Sequence, residues 1–291
     1  MVKVIAKLMA SVIFPKESAD AVPAVFVPKK IMATGLWTKE QIKLAFHLYC
    51  QLPYGRIHGR NPEIMALAKV IGRTADAVAM KMLNIASIDP AITSSGRAGL
   101  GNASALDRAV WDEFHADWER LAIECQLLRQ QLDKTAIVES ELENDVLIPD
   151  DFTAETRQVL TTQRIKQHFF RRAVLSSYRG RCCMSGLSDT RLLIASHIVP
   201  WSADKANRLN PSNGLCLSAI HDRAFDKGLI SLTEDWRVLL SNELRQREDA
   251  FVKAVFLPLE NQPIEMPEKF KPNDQFMSHH RASVFLDGAR I

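Results

Sequence analysis

The stretch Leu192–Ile230, LLIASHIVPWSADKANRLNPSNGLCLSAIHDRAFDKGLI, constrains this chain more than any other. Cys182–Met184 is a short apolar run, Ser185-Gly186 makes a turn, and a second apolar run over Leu192–Ala195 leads to His197. Two short strands here would place His197 at a strand end, where its ring can leave the core. Trp201 to Ser212 is polar and without period, hence a loop. After Asn213-Gly214, the residues Leu215, Leu217, Ile220, Ala224 and Phe225 fit a helix that Gly228 closes. Leu229–Leu232 and Val238–Leu240 read as strands. A hairpin followed by a helix would bring His197, Asn213 and His221 together.

Charge is distributed unevenly around this stretch. Asp107 to Glu155 carries a net charge of −10, whereas Arg157 to Arg191 carries +7. The basic block directly precedes the histidines and suits a polyanionic substrate. Its predicted helix ends at Tyr178, with Thr153 as cap. Arg164, Lys166, Arg171, Arg172 and Arg179 decorate that helix.

The N-terminal half reads as helical. Thr38 to Gln41 has the spacing of a capping box, followed by Ile42, Ala45, Phe46 and Tyr49 at helical intervals. Asn61-Pro62 opens a second helix. Gly72-Arg73-Thr74 is a tight turn into a third, which ends before Asp89-Pro90. The run ALAKVIGRTADAVAMKML thus resembles a helix-turn-helix unit presenting Arg73, Asp76 and Lys81 outward to DNA. Residues 93–104 read as a loop.

From Ala105 to Leu132 one long helix is predicted. Trp111, Phe114, Trp118, Leu121, Cys125, Leu128 and Leu132 form a heptad stripe. That stripe would pack on the helical half or pair with a second copy, and a homodimer through 105–132 is the expectation. The acidic segment up to Pro149 marks a boundary. The expected divisions are an extension over 1–31, a helical DNA-binding domain over 32–104, an acidic connector over 105–150, and a domain with a C-terminal wrap over 151–291.

The three blocks ASHIVPW, NPSNGLCL and IHDRAFDKGLIS, preceded by RCCMSG, resemble the HNH endonuclease family. The likeness covers roughly residues 160–240, and the layout of the chain is similar to that of bacterial proteins labelled restriction endonucleases of this family. The resemblance implies an α+β, mostly α, fold. It has a helical N-terminal domain with the helix-turn-helix-like unit, a long helix, and a C-terminal ββα-metal nuclease domain. It implies His197 as general base, Asn213 as the residue that orients it, and His221 as a ligand of a divalent metal. Mg²⁺ is the first expectation, with Mn²⁺, Ni²⁺ or Zn²⁺ as alternatives. Ser196 stands where many relatives have a second ligand, so Asp226 and then Asp222 are the substitutes. The substrate would be double-stranded DNA, cut to 5′-phosphate ends in restriction or phage defence. The rival readings are a DNA-binding regulator with a degenerate nuclease fold and a nonspecific toxin-like nuclease. His279 to Arg281 reads as part of a packed tail.

No apolar run is long enough to span a membrane. The five cysteines are odd in number and form no CxxC pair, which fits reduced thiols in the cytoplasm.

Overall fold

A computed structural model describes residues 35–97, 99–132 and 154–288. The extension over 1–31, most of the acidic segment before Pro149 and the Thr153 cap lie outside the described residues. The elements are α1 (Lys39–Gln51), α2 (Pro62–Ile71), α3 (Ala75–Ala86), α4 (Pro90–Ser94), α5 (Ala105–Ala116), α6 (Trp118–Leu132) and α7 (Ala154–Ser177). They continue as β1 (Leu193–His197), β2 (Gly214–Ser218), α8 (Ala219–Asp226), β3 (Ile230–Leu232), β4 (Val238–Leu240), α9 (Asn242–Arg245), α10 (Ala250–Val255) and α11 (Asp274–Ser283). The fold is α+β and mostly helical. Its strands form two antiparallel pairs, β1 with β2 and β3 with β4.

Local chemistry sets the helix boundaries. Thr38 and Gln41 close a reciprocal capping box on α1. Asn61 caps α2 with Pro62 at its first position, Gly72 ends it in the left-handed region, and Thr74 caps α3. α1 is the central post. Every residue from Gln41 to Gln51 is buried, and α3, α5, α6 and α7 all pack on it. A short helix, α4, capped by Asp89, stands where a loop was expected to begin.

The single long helix expected over 105–132 is two helices. Asp117 breaks the run at φ −155°, ψ 82°, and its carboxylate accepts the Arg120 N–H at 2.9 Å. A residue that caps the second helix thereby interrupts the first. The stripe is used inside the chain. Phe114, Trp118, Leu121, Cys125 and Leu128 are buried, and α6 packs on α1 and α7. The face proposed for a second copy is thus already covered.

One apolar core runs from α1 through α7 to the strands. Trp118 sits at its centre with Phe46 and Phe114 on one side and Phe169 and Phe270 on the other, at centroid distances of 5.7–6.4 Å. A second fastening is Lys269. Its fully buried ammonium donates to the carbonyls of Tyr49, Cys50 and Leu52 at the C-terminal end of α1. Burial drops its pKa to about 8.

Candidate active site

The hairpin that carries His197 differs from the expected one. Cys182–Met184 is not a strand. It is a turn whose Cys183 N–H donates once to Cys216 at 2.8 Å. The partner of β1 is β2, with His197 opposite Gly214 and Leu193 opposite Ser218. The segment read as the start of a helix is therefore a strand buried at every position. The helix α8 starts one residue after it, where Ser218 accepts the His221 N–H. Gly214 is needed for the close approach of α7, because a Cβ there would lie 2.4 Å from Val174 and 3.0 Å from Phe170. In this way α7 and α8 flank the hairpin.

His197 is half-buried at the end of β1. Its ring stacks on Phe170 at 3.9 Å and meets the edge of Trp201 at 5.5 Å. Nε2 lies 2.9 Å from the Arg208 carbonyl. A carbonyl can only accept, so Nε2 carries the proton and Nδ1 keeps its lone pair. Burial lowers the pKa of this imidazole, against opposing contributions from the Arg208 carbonyl and the Asp226 charge.

Asn213 is fully buried at the far end of the intervening loop. Its Oδ1 accepts the Val199 N–H at 2.8 Å, and its Nδ2 donates to the carbonyls of Val199 and Asn207 at 3.1 and 3.2 Å. The amide closes the loop two residues past His197. Substituting Asn213 by Asp turns that donor into a carboxylate facing two carbonyls. We expect the variant to lose about 2–4 kcal/mol of stability. Thermal melting measures the loss, and an unchanged melting temperature would show that the amide does not hold the loop closed.

His221 occupies the third position of α8. Its Nδ1 is 2.9 Å from Ser218 Oγ and 3.5 Å from Cys182 Sγ, and its ring meets the edge of Phe256. Nε2 is buried without a hydrogen-bond partner. Burial pushes the Cys182 thiol up, but bonds from His221, Ser185 and backbone N–H groups outweigh it and bring the thiol down to about 6.

Asp222 and Asp226 stand one turn apart on α8. Burial raises both carboxyls, and the Asp226 charge disfavours ionisation of Asp222 further. The Ser196 hydroxyl favours the ionised form of Asp222, yet it forms no hydrogen bond of good geometry, so the contact is a loose one. His197 acts in the same way on Asp226. α8 packs on both strands of the hairpin, and Asp226 is the α8 carboxylate whose charge acts on His197.

The basic residues expected to meet DNA are largely taken by the protein itself. Lys81, expected to face outward, is buried, with Asp107 oxygens at 2.9 and 3.0 Å. Arg73 lies 4.9 Å over the Trp37 ring and donates to Gln41. Arg171 donates to the carbonyls of Leu193 and Thr190 and so fastens α7 to β1. Arg172 pairs with Glu63 and Arg179 with Glu265. Arg164 has a partner as well.

Four contributors to the site escaped sequence reasoning: Phe170, Arg208, Ser218 and Cys182. Ser218 was legible as a helix cap three residues before His221. Phe170 and Arg208 act through a long-range stack and a backbone carbonyl, which leave no local pattern.

The donors present suit a divalent cation. His221 offers a buried, unpartnered nitrogen once Nδ1–H is donated to Ser218 or Cys182. The two α8 carboxylates offer hard oxygen atoms. Among the described residues no three such side chains close into a cage, so water and phosphate oxygens would have to complete the shell of a hard ion. His280, by contrast, is a packing residue, stacked on Phe225 at 3.7 Å.

No match was found among curated proteins. The model of the HNH endonuclease family matches residues 182–233. That segment runs from the Cys182 turn through the hairpin and α8 to the end of β3, so the residues around His197, Asn213 and His221 constitute a nuclease domain of the HNH endonuclease family.

Proposed function

We propose that this protein is a metal-dependent endonuclease that cuts duplex DNA in a restriction or phage-defence role. The observation that carries the reading is the state of His197: Nε2 is committed to a backbone carbonyl, Nδ1 is free to accept, and burial keeps the ring neutral near pH 7. A neutral imidazole in this position takes a proton from water at Nδ1. The resulting hydroxide attacks phosphorus and the P–O3′ bond breaks, so that O3′ leaves, takes a proton from solvent to become a 3′-hydroxyl, and the other fragment keeps a 5′-phosphate. Phe170 and Trp201 hold the ring plane, and Asn213 fixes the backbone that follows it. Asp222, Asp226 and His221 would hold the ion, which when bound supplies a Lewis acid for the phosphate oxygen and the leaving group. Among the described residues no helix is long and apolar enough to cross a membrane.

Incubation with supercoiled plasmid and Mg²⁺ or Mn²⁺ tests the activity. Nicked or linear product is expected, and intact plasmid under every divalent ion would overturn the reading. Ion binding is checked separately by melting. At an ion concentration about a hundredfold over Kd, the wild type should gain about 2.7 kcal/mol, a rise of several degrees. Asp226→Asn should lose most of that rise. An equal rise in both proteins would remove Asp226 from the ion site.

A further inference from the structure

The nominated DNA contacts are internally paired, which leaves the question of what meets the phosphates. Three exposed basic residues, Arg56, His58 and Arg60, alternate along the loop before α2, and none has an ion-pair partner among the described residues. The loop that bears them is built rigidly. Tyr54–Arg56 forms a 3-10 turn, and Ile57 is buried in the core. Asn61, itself buried, donates through Nδ2 to the Arg56 carbonyl at 3.0 Å while its Oδ1 accepts the Glu63 N–H at 2.9 Å. His58 N–H donates to the Arg56 carbonyl and Asn61 N–H to the His58 carbonyl, at 3.1 and 3.0 Å. Gly59 is pressed against Asp76, where a Cβ would fall 1.9 Å from the carboxylate. The backbone is thus fixed on both sides while the basic side chains project into solvent.

This knuckle is tied to the active-site hairpin. Glu63, the second residue of α2, pairs with Arg172 of α7. Two residues earlier on α7, Phe170 stacks on His197.

We propose that Arg56, His58 and Arg60 form a preorganised phosphate-binding knuckle that grips the backbone of duplex DNA. The inference rests on the nuclease reading for its substrate. Guanidinium forks match phosphate oxygens, and a fixed loop loses little entropy on binding. Phosphate contacts set register without reading sequence.

The test is binding alone, by fluorescence anisotropy of a 30-base-pair duplex with EDTA present, over a series of salt concentrations. Arg56→Gln with Arg60→Gln should lower the slope of log K against log salt by about 2. Affinity should fall about tenfold or more, and equally on unrelated sequences. Arg237→Gln with Arg245→Gln removes the same charge from arginines that are paired with Asp235 and Glu260, and should leave the slope unchanged. A knuckle variant with native melting and an unchanged slope overturns the proposal. So does an equal loss in the control pair, which would reduce the effect to net charge, and so does tighter binding of wild type to single-stranded RNA than to the duplex. A wild type that binds duplex with the expected slope but never cuts plasmid overturns the nuclease reading and leaves the knuckle standing.

Discussion

Replacing His197 by alanine is expected to lower the rate of DNA cleavage by about 10²- to 10⁴-fold while leaving duplex affinity in EDTA unchanged. The ring stacks on Phe170 and bonds Arg208, so some stability is lost as well, and the comparison must be made below the melting temperature of the variant. Cleavage at the wild-type rate would remove His197 as the base. The pH dependence gives an independent check. Activity requires the neutral ring, so the rate rises with pH as the imidazolium loses its proton. Burial shifts that proton loss to lower pH, so the midpoint of the acid limb should fall below the ordinary histidine value of about 6.5. The Asp226 charge opposes the shift. Asp226→Asn should therefore move the limb further down, provided residual activity is measured. A midpoint above 6.5 would mean that another group limits the rate.

The largest effect on stability is expected for Trp118→Ala. This indole is 1% exposed and touches rings from α1, α5, α7 and the segment before α11. Large aromatic-to-alanine changes in cores cost about 3–5 kcal/mol. For a chain of this size that is a fall of about 10 °C in melting temperature. The calorimetric trace also reports on domain organisation. If the helical half and the nuclease half share one core, a single transition shifts as a whole. If they fold separately, two transitions are seen and Trp118→Ala moves one of them. A shift under 2 °C would show that the aromatic cluster contributes far less than its burial implies.

Much of the helical half was legible because its signals are local. Thr38, Asn61, Thr74 and Gly72 each end or start a helix through a bond to a neighbour within a few residues. The hairpin was misread for the opposite reason. Leu215 and Leu217 alternate with Cys216, and apolar residues on consecutive positions satisfy a buried strand as well as a helix. Its register depends on Leu193–His197, about 20 residues away in sequence. The long helix was misread because its apolar stripe stays in phase across Asp117, so periodicity did not reveal the break. The candidate site itself was visible as three ordered blocks around His197, Asn213 and His221 that resemble the HNH endonuclease family. The roles of Arg171 and Lys81 were not, since an arginine that fastens two elements and one that awaits a phosphate look alike in sequence.

The clamp between α11 and α8 has a consequence for synthesis. His280 bonds Ser231 at 2.9 Å and reaches the Phe225 carbonyl at 3.2 Å, while the Leu286 N–H donates to Gly228 at 3.1 Å. Gly228 itself, at φ +67°, has no room for a side chain, because a Cβ would lie 2.0 Å from the Val284 carbonyl oxygen. The helix that bears His221 and Asp226 thus leans on residues translated some sixty positions later. Domains fold as the chain emerges from the ribosome, but here the contacts from His280 and Leu286 to Ser231, Phe225 and Gly228 can form only once residue 286 has left the exit tunnel. A nascent chain truncated before α11 would hold every candidate site residue and lack these contacts.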